Sequence, residues 1–298
     1  MKRLFFDFSK VIIIALLAVL CSSCAENNKG RSLNLASFNI RYGTPKDTAE
    51  RNWDARKASC IQLVKDFDFH VTGFQEVLPA QQRDLIEGLA DYNFMFVGRD
   101  DGVNGEAVGI GYRKDRIAAL DSGCFWLSPT PDVPSNSLDW GGITRKRVAV
   151  WYKFQDKTNG RKFFYLTTHM EVSSKFMYVR EKSADLIMEK EREFNPEGIP
   201  FFVVGDLNPI SQDEQMLLKL RSAFRDSYFS ADSAGVRFGP TGTYNGFRQD
   251  ADLSSHSKRG DYIFGKGEYQ LNSFTAIDAK YEGRYPSDHI PVMISINL

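Results

Sequence analysis

Short apolar runs rich in β-branched and aromatic residues alternate along the chain with segments of helical periodicity. The runs that are typical of strands lie at 33–40, 70–77, 107–113, 148–154, 162–169, 200–208, 260–265 and 291–298. Apolar residues recur at helical spacing between charges in three segments, 53–67, 79–90 and 174–194. Loops without a helix pattern join the strands between residues 107 and 169, which indicates antiparallel pairing and a second sheet. The pattern predicts a four-layer α-β-β-α sandwich, in which two mixed sheets pack together and helices flank them.

The N-terminal segment 1–23 has the character of a lipoprotein-type signal peptide. Two basic residues precede an apolar run of signal-peptide length rather than membrane-span length. Two serines then precede Cys24, which resembles a lipobox, so lipidation of Cys24 is expected. A cleaved, soluble exported protein is the alternative, because Cys21 stands where the motif usually has Leu. Residues 24–32 are polar and predict a flexible tether, which leaves one domain over 33–298. We therefore expect an exported bacterial cell-envelope lipoprotein, attached to a membrane by its N-terminal lipid, and monomeric.

Charge and cysteine content narrow the classes of partner. Lys and Arg number 38 and Asp and Glu number 38, so the net charge is zero. A chain without net charge has no global field that attracts polyanions, and any nucleic acid would have to be held locally. After signal cleavage and lipidation only Cys60 and Cys124 remain, too few for a disulfide framework. Two buried free thiols are favoured over a single bridge between them.

Polar side chains suited to metal or phosphate binding stand at the ends of five predicted strands. They are Asn39, Glu76, His169, Asp206 with Asn208, and Asp288 with His289. One acid after an apolar run is ordinarily a helix cap or a turn residue. Five such ends are different, because sheets gather their strand ends along one rim and would bring these groups together. The sequence therefore predicts one shared site.

The residue types of this set favour metal-assisted hydrolysis of a phosphate ester. Carboxylate and amide oxygens suit Mg²⁺ or Mn²⁺ and suit zinc badly, and the sequence contains no HExxH or Cys-His spacing. Such a cation stabilises charge on phosphoryl oxygens while a carboxylate or imidazole activates water. A covalent mechanism has less support, because no GxSxG elbow and no GxxxxGK[ST] loop is present.

Seven short segments carry a resemblance to a known family. They are "SFNIR", "GFQEV", "GEAVGIGYR", "TTHME", "VVGDLNP", "RGDYIF" and "PSDHIPV", in this order between residues 33 and 298. Together they resemble the motifs of the endonuclease/exonuclease/phosphatase superfamily, which has the fold of deoxyribonuclease I and exonuclease III and includes deadenylases, bacterial sphingomyelinases and inositol polyphosphate phosphatases. Longer stretches such as "FVGRDDG" and "YEGRYPSDH" resemble exported bacterial members whose substrate is unassigned.

The resemblance implies a role for each strand-end oxygen donor. Glu76 would be the principal Mg²⁺ ligand, with Asn39 beside it as a second metal residue, and Asp288 would be a further ligand from the far side. Asp206 would be the water-activating or leaving-group carboxylate, and Asn208 a phosphate-binding amide.

The resemblance also implies two histidine and carboxylate pairs. His289 would contact the phosphate and be oriented by Asp261. His169 would be the second catalytic histidine and be oriented by Glu106. A carboxylate on the second ring nitrogen fixes the tautomer of an imidazole and supports its cationic form. The segment "HMEV" departs from the family pattern, which often has a second histidine there, so we expect that loop to contact the substrate differently.

The substrate is less well determined than the chemistry. Arg147, Arg180 and Arg259 are candidate phosphate or substrate contacts, and a solvated arginine or a structural ion pair is an equal alternative for each. A phosphodiesterase such as a nuclease is the first hypothesis. A phosphomonoesterase, or a hydrolase of phospholipid headgroups or of sugar or inositol phosphates, is the alternative, and a non-catalytic binding protein is disfavoured because the polar set is intact. The absence of a basic run favours a small or single-ended substrate over duplex DNA.

Overall fold

A computed structural model describes residues 32–298 of the chain. The strands are β1 (Leu33–Asn39), β2 (Val71–Val77), β3 (Tyr92–Gly98), β4 (Ala107–Arg113), β5 (Ile117–Trp126), β6 (Val148–Asp156), β7 (Lys162–His169), β8 (Phe201–Asp206), β9 (Arg225–Asp226), β10 (Arg237–Phe238), β11 (Asp261–Lys266), β12 (Gln270–Ala276) and β13 (Val292–Asn297). The α-helices are α1 (Trp53–Asp66), α2 (Pro79–Gly88), α3 (Met177–Phe194), α4 (Gln215–Ala223) and α5 (Ser227–Ser233).

The predicted signal peptide and the lipidation site at Cys24 lie outside the described residues, as does all of the predicted tether except Ser32. These three assignments therefore stay predictions. Among the helices of residues 32–298, none combines the length and the apolar character that crossing a membrane requires.

The strands form two mixed sheets. The seven-stranded sheet has the order β10-β12-β13-β1-β2-β4-β3, and the six-stranded sheet has the order β5-β6-β7-β8-β11-β9. Parallel pairing joins β1 to β2 and β10 to β12 in the first sheet and β7 to β8 in the second, whereas the remaining neighbours are antiparallel. The predicted sandwich of two mixed sheets is confirmed.

Three apolar clusters hold the layers together. The central cluster fills the space between the sheets, with Tyr165 of β7 and Ile294 of β13 among its members. A second cluster packs α3 and α4 on the six-stranded sheet, for example through Ile187. A third packs α1 and α2 on the seven-stranded sheet, with Leu63 and Leu85 fully buried. Each fully buried aliphatic side chain contributes about 1.5–3 kcal/mol, so these clusters make the sandwich a rigid support for its rims.

Helix positions agree closely with the sequence pattern. Helix α1 starts after Asn52, whose side chain accepts a hydrogen bond from the Ala55 amide at 2.9 Å and so caps the first turn. Helix α2 has Pro79 in its first turn, as the sequence indicated. The segment at 174–194 begins with one 3₁₀ turn, Ser174–Phe176, and continues as α3.

Several elements were not predicted. Strand β5 lies in a region interpreted as loop, and it is an edge strand with residues 119–122 exposed, so it lacks the apolar run that marks a central strand. Strands β3 and β12 and helices α4 and α5 were also missed. Cys60 and Cys124 are free thiols as favoured, although Cys124 is half-buried rather than buried.

Candidate active site

Strand register brings the predicted residues together at one rim of the sandwich. His169, the last residue of β7, pairs with Asp206, the last residue of β8, and Asp206 pairs with Asp261, the first residue of β11. In the other sheet Asn39 ends β1 beside Gln75 of β2, one residue before Glu76. Because the two sheets pack face to face, both rows contribute to one cavity of about 590 Å³.

Glu76 reaches the cavity through an irregularity in β2. The register of β2 with β4 shifts between Phe74 and Val77, and Glu76 has a φ of 61°. A left-handed backbone is unfavourable for glutamate, so the surrounding structure must hold it, and such strain is typical of functional sites. Its two carboxylate oxygens accept hydrogen bonds from Asn39 Nδ2 at 3.1 Å and from the Tyr42 amide at 3.2 Å. Each oxygen retains free lone pairs toward the cavity.

Asn39 positions two carboxylates through its amide nitrogen. Its Nδ2 donates to Glu76 and also to Asp206 Oδ2 at 3.1 Å, while its Oδ1 accepts from the Arg41 amide at 3.0 Å. The Arg41 amide thus fixes the orientation of the side-chain amide. Oδ1 keeps its second lone pair, so the role of Asn39 as a metal ligand stays a prediction.

His289 and Asp261 form the predicted pair. Nδ1 of His289 lies 2.8 Å from Oδ2 of Asp261, which is fully buried, and the other oxygen of Asp261 has no partner among the described residues. Burial alone would lower the pKa of His289, but the carboxylates of Asp261 and Asp206 together hold it well above the ordinary value. His289 is therefore an imidazolium that is held in a fixed orientation.

Asp206 lies between the two histidines. Its Oδ2 is 3.6 Å from Nε2 of His169 and 3.8 Å from Nε2 of His289, and its Oδ1 accepts from the Asn208 amide at 3.2 Å. Burial raises the pKa of Asp206, and the nearby carboxylates of Asp261 and Glu76 add to this against the opposing effect of His289, which brings it to about 7. At neutral pH the group can therefore take up or release a proton.

Glu106 does not orient His169, contrary to the prediction. Its Oε2 accepts from Nη1 of Arg99 at 2.7 Å instead. Burial lowers the pKa of His169 well below the ordinary value, and Arg147, His289 and Arg99 lower it further. Without a carboxylate hydrogen-bonded to its ring, His169 is a neutral imidazole that shares the cavity with cationic groups.

The residues present fit a hard divalent cation. Glu76, Asp206 and Asp288 all line the cavity, and carboxylate oxygens are the ligands that Mg²⁺ and Mn²⁺ prefer. Donor atoms of Asp206, Asp261 and His289 also lie within 4.8 Å of one another and could hold an ion. An ion at that cluster would compete with the bond between Asp261 and His289, so Glu76 and Asp288 are the better candidates.

The structure overturns one of the three predicted arginine contacts. Arg180 is fully buried, and its Nε and Nη2 bind the carboxylate of Glu214 at 2.6 and 3.0 Å, so it is a structural residue away from the cavity and the predicted substrate contact is wrong. Arg259 lines the cavity, and its buried guanidinium pairs with Asp226 and lies 4.3 Å from the ring centroid of Tyr228. Its predicted substrate contact stays a prediction. Arg147 lines the cavity as predicted.

Comparison with known proteins identifies the family. A model described as the Endonuclease/Exonuclease/phosphatase family matches residues 36–289. The chain belongs to this family. A mannosyl-6-phosphatase of Bacteroides thetaiotaomicron is similar, with 32% identity, a TM-score of 0.81, and coverage of 89% of this chain and 100% of that chain. An endonuclease/exonuclease/phosphatase of Bacteroides vulgatus has 33% identity, a TM-score of 0.81, and coverage of 90% and 99%. TDP2 of D. rerio, complexed with single-strand DNA product, shares the fold at 18% identity, a TM-score of 0.69, and coverage of 90% and 99%.

Members of the endonuclease/exonuclease/phosphatase family hydrolyse phosphoesters, generally with a divalent metal, and this cavity contains the groups for that chemistry. Sequence reasoning missed three arginines that line it, Arg41, Arg99 and Arg145. A signal was available, because Arg41 follows the strand-end Asn39 by two residues, Arg99 follows the end of β3, and Arg145 precedes Arg147 by two.

Proposed function

We propose that the protein is a Mg²⁺- or Mn²⁺-dependent phosphomonoesterase that acts on a small phosphorylated sugar. The observation that carries the proposal is a single cavity of about 590 Å³ in which carboxylates, an imidazolium and arginines converge. That volume suits a small ligand rather than a nucleic-acid duplex, and the chain has no net positive charge. The similarity to a mannosyl-6-phosphatase favours the same class, so the monoester takes precedence over the phosphodiester of the first sequence hypothesis.

The metal would be held by Glu76 and Asp288, with Asn39 holding the carboxylate of Glu76. When bound, a divalent cation stabilises negative charge on the phosphoryl oxygens. The strained backbone of Glu76 and its two hydrogen bonds keep the carboxylate in place, which reduces the cost of ordering a ligand when the cation arrives.

Residues of the chain then bind the phosphate and activate the attacking water. Asp206 accepts the proton of the water as the water oxygen bonds to phosphorus, for which a pKa of about 7 is suitable at neutral pH. The bond from phosphorus to the sugar oxygen breaks, and the sugar leaves as its alcohol with a proton returned by Asp206 or by solvent water. Nε2 of His289 donates to a phosphoryl oxygen, and Asp261 keeps the ring in the tautomer and charge state that can do so. Asn208 gives one amide N–H to the Met170 carbonyl at 3.2 Å, which leaves the second for the phosphate.

A metal and substrate panel tests the proposal. We expect the wild type to hydrolyse p-nitrophenyl phosphate and mannose 6-phosphate with Mg²⁺ and not with EDTA, and to hydrolyse bis-p-nitrophenyl phosphate more slowly. Glu76→Gln should weaken Mn²⁺ binding in titration calorimetry and lower turnover by about 100-fold or more, because a preorganised charge that acts on the transition state is lost. Glu87→Gln, an exposed glutamate on α2, is the control. Equal turnover with Mg²⁺ and with EDTA would refute the metal requirement. Faster hydrolysis of bis-p-nitrophenyl phosphate than of p-nitrophenyl phosphate would favour the phosphodiesterase hypothesis instead.

We also propose that the protein is exported and held at a membrane by a lipid on Cys24. The support is the signal-peptide pattern of residues 1–23 and the two serines that precede the cysteine. Labelled palmitate should enter the wild type and not Cys24→Ser. Equal labelling of both proteins contradicts lipidation at this residue.

A further inference from the structure

Three arginines form a second charged region in the cavity, and their ion partners are glutamates outside the catalytic set. Nη1 of Arg99 binds Glu106 at 2.7 Å, and Nη1 of Arg145 binds Glu171 at 3.2 Å. Nε of Arg147 lies 3.7 Å from Glu171, which is longer than a hydrogen bond. We call Arg99, Arg145 and Arg147 the arginine cluster.

The described residues use only part of the hydrogen-bonding capacity of this cluster. The side chain of Arg147 is 8% exposed, and within residues 32–298 its Nε has no hydrogen-bond partner. Nε of Arg99 and Oε2 of Glu171 are buried without a partner as well. Nε of Arg147 and Oε2 of Glu171 face each other across an ion pair of 3.7 Å. No described residue accepts a hydrogen bond from the rest of the Arg147 guanidinium, and buried polar groups are almost always paired, so its donors at the cavity wall are available to a ligand. An oxyanion is the ligand that matches the guanidinium fork.

The loop that departs from the family pattern organises the cluster. Glu171 lies one residue before Val172, the position of the second histidine in the related motifs. Its Oε1 accepts from Nη1 of Arg145 at 3.2 Å and from the Ser173 amide at 3.2 Å. Arg180 fixes the same loop, because its Nη1 donates to the carbonyls of Glu171 at 2.8 Å and Ser173 at 3.0 Å. The loop therefore holds a carboxylate in place beside the arginines.

Strand order separates the cluster from His289 and Asp261. Arg99 follows β3 and Arg147 precedes β6, whereas Asp261 begins β11 and His289 precedes β13. The catalytic end has the carboxylates of Glu76, Asp206 and Asp288 at the cavity and Asp261 behind His289, and they outnumber its cations Arg41 and His289, so a divalent cation would be needed there to attract an anion. The arginine end has more arginines than its two glutamates, and it attracts an anion without metal. Burial and the arginines keep His169 neutral between the two ends. A cavity of about 590 Å³ has room for a sugar that spans both.

We infer that Arg99, Arg145 and Arg147 bind a second oxyanion of the substrate, a phosphate or a carboxylate, in addition to the phosphate that is hydrolysed. The inference rests on the proposed function and narrows its substrate class to phosphosugars with two acidic groups. Charge-assisted hydrogen bonds of this kind change affinity by roughly tenfold to 100-fold.

Paired substrates test the inference. Fructose 1,6-bisphosphate is compared with fructose 6-phosphate for the phosphate arm, and 6-phosphogluconate with glucose 6-phosphate for the carboxylate arm. We expect kcat/KM of the wild type to be at least tenfold higher for the doubly charged member of one pair, mainly through KM. In Arg145→Gln, whose side chain is 40% exposed and tolerant of change, this ratio should fall toward one. Arg284→Gln is the matched control, because that exposed arginine also faces one glutamate, Glu50, at 3.5 Å.

A binding measurement separates this inference from the proposed function. Calorimetric titration of inorganic sulfate in EDTA should show binding to the wild type and to Arg284→Gln, and binding weakened by tenfold or more in Arg145→Gln and in Arg147→Lys. Absence of p-nitrophenyl phosphate hydrolysis refutes the proposed function while this titration still tests the cluster. Any of three results would overturn the inference. The first is an equal kcat/KM for the two members of both substrate pairs, and the second is sulfate binding that the variants do not weaken. The third is a loss of kcat/KM in Arg145→Gln that is the same for singly and doubly charged substrates.

Discussion

Asp261→Asn isolates the charge that supports His289 from the geometry of the site. Asparagine has nearly the same shape as aspartate, and its carbonyl oxygen can still accept from Nδ1 of His289. Asp261 is fully buried and His289 is 8% exposed, so solvent screens their interaction poorly. The substitution therefore removes one negative charge from a pair whose atoms lie 2.8 Å apart and leaves the fold in place.

The expected loss follows from the geometry of that pair. With the nitrogen and oxygen 2.8 Å apart, the centres of the two charged groups are about 4 Å apart, and unit charges at that distance interact by about 4 kcal/mol at an effective dielectric constant of 20. Each 1.36 kcal/mol changes a rate tenfold, so the variant should lose about three orders of magnitude in turnover if the imidazolium stabilises the phosphoryl transition state. The free energy of unfolding should fall, because the buried His289 loses the counter-charge of its pair, so the activities are compared at a temperature where each variant is folded.

Four proteins are compared with p-nitrophenyl phosphate at saturating Mn²⁺: the wild type, Asp261→Asn, His289→Ala and the double variant. Residues that act as one unit are non-additive, so the double variant should be no slower than His289→Ala within about threefold. Thermal unfolding of each variant is the control for folding. Additive losses, or a loss below tenfold in a folded Asp261→Asn variant, would refute the reasoning.

Two further predictions concern stability. Arg180→Met should lower the free energy of unfolding by about 3–5 kcal/mol in urea titration, because it leaves the carboxylate of Glu214 buried without its cation. The double variant Arg180→Met with Glu214→Leu should recover most of this loss. An equal loss in the single and the double variant would contradict the prediction. Burial lowers the pKa of His70 to about 4, and its Nδ1 accepts the Asn34 amide at 2.8 Å. Between pH 6.5 and 4 the unfolded chain therefore binds the proton that the folded chain excludes, and the contribution of His70 to stability falls as pH drops, by about 2 kcal/mol from pH 7 to pH 5. The difference in free energy of unfolding between the wild type and His70→Gln should change by that amount from pH 7 to pH 5. Curves of unfolding free energy against pH that run parallel for the two proteins would contradict the prediction.

The position of the site was predictable because it depends on where strands end. Glu76, His169 and Asp206 follow apolar runs whose length and composition mark strands, and register alone places His169 beside Asp206. The position at which a strand ends can be predicted from local sequence, because the apolar run or alternating pattern of the strand stops there. The elements that escaped prediction, such as β5, have exposed residues that packing does not select.

The partners of the charged residues were not predictable in the same way. Arg99 binds Glu106, Arg180 binds Glu214 and Arg259 binds Asp226, and the last two pairs join residues more than 30 positions apart in the chain. Each arginine could reach several acids in an unfolded or partly folded chain, and packing selects one. The sequence shows where the charged residues are in the chain. Whether an arginine is buried in an ion pair or faces the cavity depends on how the two sheets pack.

The pairing of Glu106 with Arg99 changes the chemistry expected of the site. A carboxylate on its ring keeps an imidazole cationic, and His289 has one in Asp261 while His169 has none. The site thus has one imidazolium instead of the two that a deoxyribonuclease-like pair at His169 and Glu106 would give. Arginines supply the positive charge beside His169 and remain protonated at every physiological pH. The proposed binding of an anion at that end therefore involves no change in the charge of the arginines, whereas the proposed proton transfer at Asp206 depends on pH. With sulfate, whose charge does not change near neutral pH, binding should be flat with pH while turnover changes near pH 7.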